Sequence, residues 1–379
     1  MDFSTVARLP AGEKPATLFV ALELSKATWL VALHSPAADK ISLHRLAGGD
    51  TQGLLTLIER KRDQAQTALA RPVHVISCYE AGYDGFWLHR LLCASGIDNR
   101  VLEAASILVD RRSRRAKTDR LDAAALLRTL LALERGEPRV CRVVRVPSPE
   151  HEDTRRRSRE RARLVNERTQ HTSRIKGLLM TQGIRDFAPT RRDWRERLEG
   201  LRTADGHALL PCLKAEIARE CRRLWQVIDM IAEVEAEQHQ VAAETTTGAT
   251  QLSRLRGIGL TIAGVLGNEV FFRTFQNRRE IAGYLGLASS PWNSGSVSRD
   301  QGIQRSGNPR GRQTAIELAW LWLRHQPESG LARWFHERVG TSKGRIRRTM
   351  IVALARKLMI ALWRYVTQGL MPEGAVIKA

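Results

Sequence analysis

The sequence has no segment typical of export or of membrane insertion. Its first 15 residues, MDFSTVARLPAGEKP, contain no apolar core of the signal-peptide kind. Its longest apolar stretch, Met350 to Trp363, is interrupted by Arg356 and Lys357, and the centre of a bilayer would penalise both charges. We therefore expect a buried helix at this stretch and a protein of the cytoplasm.

Cysteine is scarce, and its spacing argues against both zinc and disulfides. The five cysteines are Cys78, Cys93, Cys141, Cys212 and Cys221. No two of them form a CxxC pair, and an odd number does not suit a disulfide framework. We expect reduced thiols and no zinc site.

Acidic residues are too few to balance the basic ones. The chain has 40 Asp and Glu against 61 Lys and Arg in 379 residues, a formal net charge of +21. Only 10 of the basic residues are Lys; the other 51 are Arg, whose planar guanidinium suits phosphates and base edges. A basic surface without a specific ligand is one explanation. Because 43% of the residues are hydrophobic, as in ordinary globular proteins, we favour a nucleic-acid partner and a place at the nucleoid.

The first 146 residues predict a mixed sheet flanked by helices. Short runs rich in β-branched and aliphatic residues predict strands, and longer periodic runs predict helices. The predicted elements are strands at 17–24, 28–34 and 41–46, a helix from 54, a strand at 72–80, a helix at 86–94, a strand at 99–103 and a helix at 120–134. This β-β-β-α-β-α-β-α order is typical of an α/β domain.

Two changes in composition divide the rest of the chain. Pro147 and Pro149 precede a highly charged stretch, and TTTGAT at 245–250 is typical of a linker. We therefore predict domains at 1–146, 147–248 and 249–379. The last contains a Gly-rich helical pair, a Ser-rich loop at 288–309 and three further helices.

The middle segment carries an apolar stripe with 4-3-4-3 spacing. Its members are Ile217, Cys221, Leu224, Ile228 and Ile231. This spacing is typical of a helix that packs on another helix. Two heptads do not distinguish a helical hairpin within one subunit from an intermolecular coiled coil.

Four acidic residues in the first domain stand where a metal site would need them. Glu23 ends the first predicted strand and Glu80 ends the fourth, while Asp119 and Asp122 share one face of a helix's first turn. Magnesium prefers oxygen ligands, and two such ions about 4 Å apart can assist phosphoryl transfer. Taken singly, these residues are also explained as a helix cap and as solvated strand ends.

Two further segments favour contact with phosphate. The basic run before the acidic helix comprises Arg111, Arg112, Arg114, Arg115 and Lys117, although such runs are often merely solvated. The segment RLRGIGLTIAGVL resembles a helix-hairpin-helix element. There, Gly257 and Gly259 permit a tight turn that can meet a phosphate, flanked by Arg254 and Arg256. A plain pair of helices is the alternative for this segment.

The Ser-rich loop offers many hydroxyls, and residue chemistry alone does not single one out as a nucleophile. Its arginines are more informative, because they are placed to neutralise a transferring phosphoryl group. They are Arg299, Arg305, Arg310 and Arg312.

Several segments, taken in order, resemble the transposases of the insertion sequence 110 class, and within it the insertion sequence 1111 branch. They are YEAGYDGFWLHR (79–90), KTDRLDA (117–123), RIKGLL (174–179), RLRGIGLTIAGVL (254–266) and the stretch from GYLGL through NSG to QGIQRSGNPRGR (283–312). The resemblance extends from about Thr17 to Thr367.

This resemblance implies an N-terminal RuvC-like domain of ribonuclease H fold, a helical coiled-coil segment and a helical transposase domain. It places a metal-binding tetrad, with about two Mg²⁺ ions, on Glu23, Glu80, Asp119 and Asp122, and a nucleophilic hydroxyl on Ser294. The implied reaction cuts and rejoins donor and target DNA through a phosphoserine, in a homodimer or tetramer guided by a structured noncoding RNA. In most relatives the first tetrad residue is Asp; Glu23 keeps the carboxylate but extends it by one methylene.

Two other functions stay open at this point. A junction-selective endonuclease would use the acidic tetrad alone, without Ser294. A protein that binds RNA and DNA but has lost catalysis at Glu23 would bind with steep salt dependence and show no turnover.

Overall fold

The computed structural model describes residues 16–107, 119–138, 140–244, 248–294 and 297–378, without the side chains of 105, 242–244, 292–294 and 297–301. The chain divides into two compact units, Met1–Val146 and Pro147–Ala379. The predicted segments 147–248 and 249–379 therefore belong to the same compact unit.

The first unit has the predicted order of strands and helices. Its elements are β1 (Ala16–Leu24), β2 (Thr28–His34), β3 (Ile41–Ala47), α1 (Thr51–Leu69), β4 (Val73–Glu80), α2 (Trp87–Ala94), β5 (Asp98–Leu102), a 3₁₀ turn (Ala104–Ser106) and α3 (Asp119–Glu134). The sequence identified each strand and helix because alternating and helical hydrophobic periods are distinct over these lengths.

The five strands form one mixed sheet in the order β3-β2-β1-β4-β5. β2 runs antiparallel to β1 and β3, whereas β4 runs parallel to β1 and β5. Leu18, Val20 and Leu22 of β1 belong to the core that includes α1 and α2, while Ala21 belongs to the core that includes α3. Helices therefore cover both faces of the sheet, and α3 has one face largely to itself.

The second unit is mainly helical. Its elements are α4 (Pro149–Met180), α5 (Trp194–Glu199), α6 (Pro211–Glu244), α7 (Gly248–Ser253), α8 (Leu260–Leu266), a π-helical turn (Gly267–Phe271), α9 (Arg278–Tyr284), β6 (Ser289–Ser294), β7 (Val297–Ile303), α10 (Pro309–His325), α11 (Gly330–Val339) and α12 (Arg345–Gln368). Ser148 caps α4 by accepting a hydrogen bond from the His151 N–H, and Pro149 begins the helix where its missing N–H costs nothing.

The apolar stripe of α6 packs against α4 within the same chain. Ile217 and Leu224 share a core with Ile175 of α4, whereas Ile231 packs near Leu164, so the two helices run antiparallel. Of the two alternatives for the 4-3-4-3 spacing, the structure confirms the hairpin within one subunit.

The prediction of a Ser-rich loop at 288–309 was wrong over most of its length. β6 and β7 form an antiparallel hairpin there, with an irregular register between Ser289 and Pro291. Ser, Gly and Pro are turn-forming residues, so the sequence indicated a loop. Backbone hydrogen bonds between the two strands form the hairpin regardless of that side-chain signal.

The stretch from Met350 to Trp363 is part of α12 and lies in the core, as predicted. Ile351, Leu354 and Leu358 are buried, while Lys357 of the same stretch is exposed. Within the described part of the chain, no helix combines the length and the apolar character that a membrane span requires.

The five cysteines are free thiols, as expected. Cys78 and Cys221 are buried, and burial raises the pKa of both; that of Cys221 reaches about 11. These two thiols stay protonated at neutral pH and behave as small apolar side chains.

A buried carboxylate joins the two long helices. The Glu220 side chain is 5% exposed and accepts hydrogen bonds from His171 Nδ1 at 2.7 Å, Arg174 Nη1 at 3.0 Å and Arg223 Nη1. Burial by itself would raise the pKa of Glu220, but these three hydrogen bonds outweigh it and lower the pKa from 4.5 to about 2. The charged form of Glu220 therefore stabilises the hairpin.

We predict that Glu220→Gln destabilises the protein at neutral pH by about 1–3 kcal/mol, because it removes charge-assisted hydrogen bonds from a buried site. A lowered carboxylate pKa contributes stability that is complete above pH 4.5 and is lost as the pH falls toward 2. In denaturant titrations, the difference from wild type should shrink across that window. Glu216→Gln, at an exposed position of α6, should change little; an equal loss in both variants would contradict the prediction.

Candidate functional site

Glu23 and Glu80 lie at the same edge of the sheet. The parallel register of β1 and β4 pairs Leu22 with Tyr79, so the next residue of each strand is one of these two acids. Parallel strands end at a common edge, which makes Glu23 and Glu80 neighbours on adjacent strands.

The two acids also belong to the same face of the sheet. Phe19 and Ala21 of β1 and Ile76 and Cys78 of β4 pack in the core that α3 covers. Because side chains alternate between faces with a period of two, Glu23 and Glu80 continue these two rows on the α3 side.

The helix α3 brings the other two acids to this side. Asp119 and Asp122 lie in its first turn, and Leu126 and Leu130 continue the same helical stripe into the core. Asp119 lies at the carboxyl edge of β1, since it shares a groove with Leu30, the β2 partner of Glu23. All four predicted acids therefore belong to one corner of the first unit.

An open groove of about 610 Å³ runs along β2 and β3 beside this corner. It is lined by Thr28, Leu30, Ile41, Leu43, Arg45, Asp119 and Arg120. Two guanidinium groups and one carboxylate face the groove, so it offers contacts both to phosphate and to a cation.

The corner has the chemistry of a metal site, but its carboxylates are not gathered around one point. Among the residues that the structure describes, no three Asp, Glu, His or Cys side chains lie close enough to hold an ion together. Asp119 and Glu80 are exposed, and Asp122 and Glu23 are partly exposed. Carboxylate oxygen is nevertheless the ligand type that a hard divalent cation such as Mg²⁺ prefers, and that ion takes few protein oxygens and keeps several waters.

The basic run Arg111–Lys117 lies outside the described residues, as does the side chain of Arg299. The predicted phosphate contacts of these residues stay predictions.

The Gly257–Gly259 turn joins two short helices, α7 and α8. Gly257 has φ +89°, and a Cβ there would approach the Cβ of His325 to 2.7 Å, so both its conformation and its packing require glycine. The C-terminal segment closes the turn: Arg256 N donates to Val376 O at 3.0 Å, and Lys378 Nζ donates to Ile258 O at 2.7 Å. These contacts pack the turn against His325 and the C-terminal segment, while the side chains of Arg254 and Arg256 remain exposed. The phosphate contact of this turn stays a prediction.

Ser294 is the last residue of β6, and its backbone pairs with Val297 across the hairpin. This places the predicted nucleophile at the end of the two-stranded hairpin opposite to the Ser289–Ile303 pair.

The other three arginines of the predicted phosphate-binding loop differ in environment. Arg305 is exposed and adopts φ +59°, uncommon for a residue with a Cβ. Arg312 Nη1 donates to Leu285 O at 3.1 Å and to Ser306 O at 3.2 Å. These bonds hold the chain beside the base of the hairpin, the end at which Ser289 pairs with Ile303. Arg310 donates to Ser158 O on α4, and burial lowers its pKa. Arg310 and Arg312 thus have structural partners.

A second buried carboxylate, which the sequence did not reveal, lies among these arginines. Glu269 of the π-helical turn is bound by both nitrogens of the Arg159 fork, at 2.7 Å (Nε–Oε1) and 3.0 Å (Nη2–Oε2). Arg155, which is 7% exposed, donates to Asn268 O at 2.9 Å and lies 4.0 Å from the centre of the Phe272 ring. Two features of the sequence could have indicated this ion pair. Glu269 is a single acid within an apolar run, and Arg155 and Arg159 lie four residues apart on α4.

The same turn anchors the start of α10. Tyr284 Oη and Asn308 Nδ2 both donate to Glu269 O, at 2.9 and 3.0 Å, and the Asn308 side chain also caps α10 through the Gly311 N–H. Since Asn308 follows the β6–β7 hairpin by only five residues, this anchor positions the segment that carries Ser294.

Two transposase family models match the chain. The model of the DEDD transposase of IS110 elements matches residues 23–182, and that of the IS116/IS110/IS902 transposase family matches residues 249–333. The first match begins at Glu23 and spans all four acids; the second spans Ser294 and the three described arginines.

Curated relatives agree with the family models. The chain is 48% identical to a protein described as transposase y4rJ from Sinorhizobium fredii, over 95% of this chain and 94% of that protein. It is 30% identical to transposase y4qE of the same organism, over 71% of this chain and 64% of that protein. It is 24% identical to the transposase for insertion sequence element IS1111A of Coxiella burnetii, over 86% of both chains.

We predict that Glu269→Gln destabilises the protein by about 2–4 kcal/mol, because it leaves the buried guanidinium of Arg155 and its neighbours Arg159 and Arg310 without their common counter-charge. Glu317→Gln, at an exposed position of α10, removes the same charge and should have little effect. Chemical denaturation measures both variants. Unchanged stability of the Glu269 variant would mean that backbone contacts alone hold the turn.

Proposed function

The chain belongs to the IS116/IS110/IS902 family of transposases and is a DNA transposase, and from that premise we propose that it is metal-dependent, acts through a phosphoserine at Ser294 and is guided by a structured noncoding RNA. The observation that carries the proposal is the corner of the first unit, where Glu23 and Glu80 end adjacent strands and Asp119 and Asp122 begin the helix that covers the same face. We further propose that the first unit has the RuvC-like ribonuclease H fold, supported by the strand order β3-β2-β1-β4-β5 with β2 antiparallel.

Glu23, Glu80, Asp119 and Asp122 are the residues that would hold divalent ions, with Mg²⁺ the ion best suited to their oxygens. Such ions would stabilise negative charge on the attacking and departing oxygens of a phosphoryl transfer. Glu23 would supply its carboxylate from the end of β1 with one methylene more than aspartate. Arg45 and Arg120 line the adjoining groove, where they would bind a backbone phosphate of the DNA strand that is cut.

Ser294 would act as the nucleophile. Its Oγ attacks a phosphodiester phosphorus, loses its proton and forms a Ser–O–P bond, while one bridging P–O bond breaks and the departing sugar oxygen takes up a proton. A sugar hydroxyl of the exchanged strand then attacks the same phosphorus and loses its proton, the Ser–O–P bond breaks, and Ser294 Oγ is protonated again as a phosphodiester is restored. The exposed guanidinium of Arg305 follows the opposite end of the same hairpin, where it would hold a backbone phosphate of the DNA strand that reaches Ser294.

An RNA guide and an oligomer complete the proposal. Base pairing would select the donor and target sequences, while the protein binds backbones; the formal charge of +21 suits that task. We propose a homodimer or tetramer in which the acidic corner and the serine come from different subunits.

The endonuclease alternative would use only the acidic corner and would release nicked DNA by hydrolysis. The transposase proposal requires a covalent protein–DNA adduct, which hydrolysis does not form. Denaturing gel electrophoresis of a reaction with labelled DNA distinguishes the two.

We predict that Ser294→Ala abolishes both the adduct and strand exchange, by at least about a thousandfold, because no other group takes the place of the nucleophile. The assay combines the protein with its element-encoded RNA, donor DNA and target DNA. Ser298→Ala removes a hydroxyl from the opposite strand of the same hairpin and should retain exchange. Exchange by the Ser294 variant would exclude the phosphoserine mechanism.

We predict that Asp119→Asn and Asp122→Asn each lower metal-dependent exchange by at least about a hundredfold, because each removes an anionic ligand from the proposed ion site. Asp63→Asn, at an exposed position of α1, is the matched control and should keep full activity. Glu23→Asp should retain or raise activity. Full activity of the Asp119 and Asp122 variants would show that the acidic corner is not catalytic.

A further inference from the structure

A long groove in the second unit lies between α12, α9 and the base of the β6–β7 hairpin. Its volume is about 1200 Å³. It is lined by cations from four segments: Arg278, Arg279, Arg305, Arg312, Arg345, Arg348, Arg356 and Lys357. Among the residues that the structure describes, no Asp or Glu lines it.

The charge of this groove is uncompensated within the described ranges. None of the eight cations has a carboxylate oxygen within 4.0 Å there. Arg345 and Arg348 are exposed, and Arg356 is partly buried on the same helix. Eight like charges around one concavity repel one another and focus a positive potential, which a polyanion would relieve.

The arrangement of the groove suits a phosphate backbone. From Arg345 to Arg356, α12 advances about 16 Å at 1.5 Å per residue, the length of several nucleotides of one strand. Aliphatic side chains, among them Leu287, Ile303 and Val352, line the groove between the cations. Cations beside an apolar floor hold phosphates while sugars lie against the floor.

The groove is continuous with the segment that carries Ser294. Ser289 and Ile303 both line it, and they pair with each other at the open end of the β6–β7 hairpin. A strand held in the groove would therefore leave it alongside the hairpin, which ends at Ser294 and Val297.

We propose that this groove binds the backbone of the DNA strand to be cut, with Arg345, Arg348 and Arg356 as its principal phosphate contacts. The inference rests on the proposed function for the choice of DNA, since the strand in the groove is the one that would meet Ser294. It adds α12 and α9 to the DNA-binding surface, which the sequence located only around Arg254–Gly259, Arg299–Arg312 and the run Arg111–Lys117.

The test compares wild type with the triple variant Arg345→Gln, Arg348→Gln, Arg356→Gln. Fluorescence anisotropy measures binding to labelled duplex DNA of arbitrary sequence at several salt concentrations, in EDTA so that no metal-dependent chemistry occurs. The triple variant should bind duplex DNA at least about tenfold more weakly at low salt. The slope of log K against log salt should fall in magnitude by about 2–3, one unit per lost phosphate contact.

The matched control is Arg324→Gln, Arg338→Gln, Arg364→Gln, which removes the same charge from exposed positions on α10, α11 and α12 outside the groove. It should lower the slope by clearly less than the groove variant. Circular dichroism and thermal unfolding confirm that both variants fold. Equal affinity and equal slope for the two variants would overturn the proposal, and so would an absence of duplex binding by wild type.

A second comparison separates DNA from RNA. The same variants are titrated with a labelled structured RNA, and a loss confined to RNA would overturn the assignment to DNA. Ser294→Ala should bind duplex DNA as wild type does, because the groove requires no nucleophile. Failure of the phosphoserine mechanism and failure of the groove are therefore observed in different assays.

Discussion

The shortage of carboxylates in a strongly basic chain is the constraint on which the structure depends. With 61 basic and 40 acidic residues, at least 21 basic side chains cannot have an acidic partner of their own. Two buried acids each lie among several basic side chains: Glu220 binds His171, Arg174 and Arg223, while Glu269 binds Arg159 and lies near Arg155 and Arg310. One acid joins the long helices, and the other fastens α4 to the C-terminal helices. A buried carboxylate is stable there because several donors surround it.

The same imbalance between acidic and basic residues leaves two surfaces with exposed charge of a single sign, the acidic corner of the first unit and the groove along α12. The first unit places two acids at the ends of adjacent strands and two more in the first turn of the helix that covers the same face. The groove along α12 has the opposite composition, since its described lining contains eight cations and no acid. Exposed charge of one sign is unfavourable for an isolated protein, and a partner of the other sign relieves it. Divalent cations suit the first surface and a phosphate backbone suits the second.

Much of the first unit could be predicted from the sequence. Strand and helix periods located β1 to β5 and α1 to α3, because each is long enough to show its period and is bounded by turn residues. The acids followed from those boundaries, since a residue at the end of a parallel strand has a defined edge. Glu23 and Glu80 became neighbours only through the β1–β4 register, which no local signal contains.

The second unit was less accessible to sequence reasoning. The stripe from Ile217 to Ile231 predicted a helix packed on a helix, but contacts with Ile175 and Leu164 were needed to place both in one chain. The β6–β7 hairpin was missed because its residues favour turns and its strands depend on backbone pairing. Arg345, Arg348 and Arg356 were missed because a basic, partly apolar helix gives no sign of what lies opposite it.

The sequence by itself determined the periodic elements, the charge excess and the residue types available for chemistry, since these depend on neighbours a few positions apart. Tertiary structure alone decided which charged side chains have a partner of opposite charge and which do not. That outcome depends on burial and on contacts between residues more than a hundred positions apart, such as Arg159 with Glu269. The free energy of a charge depends on its surroundings, and only the folded chain supplies them.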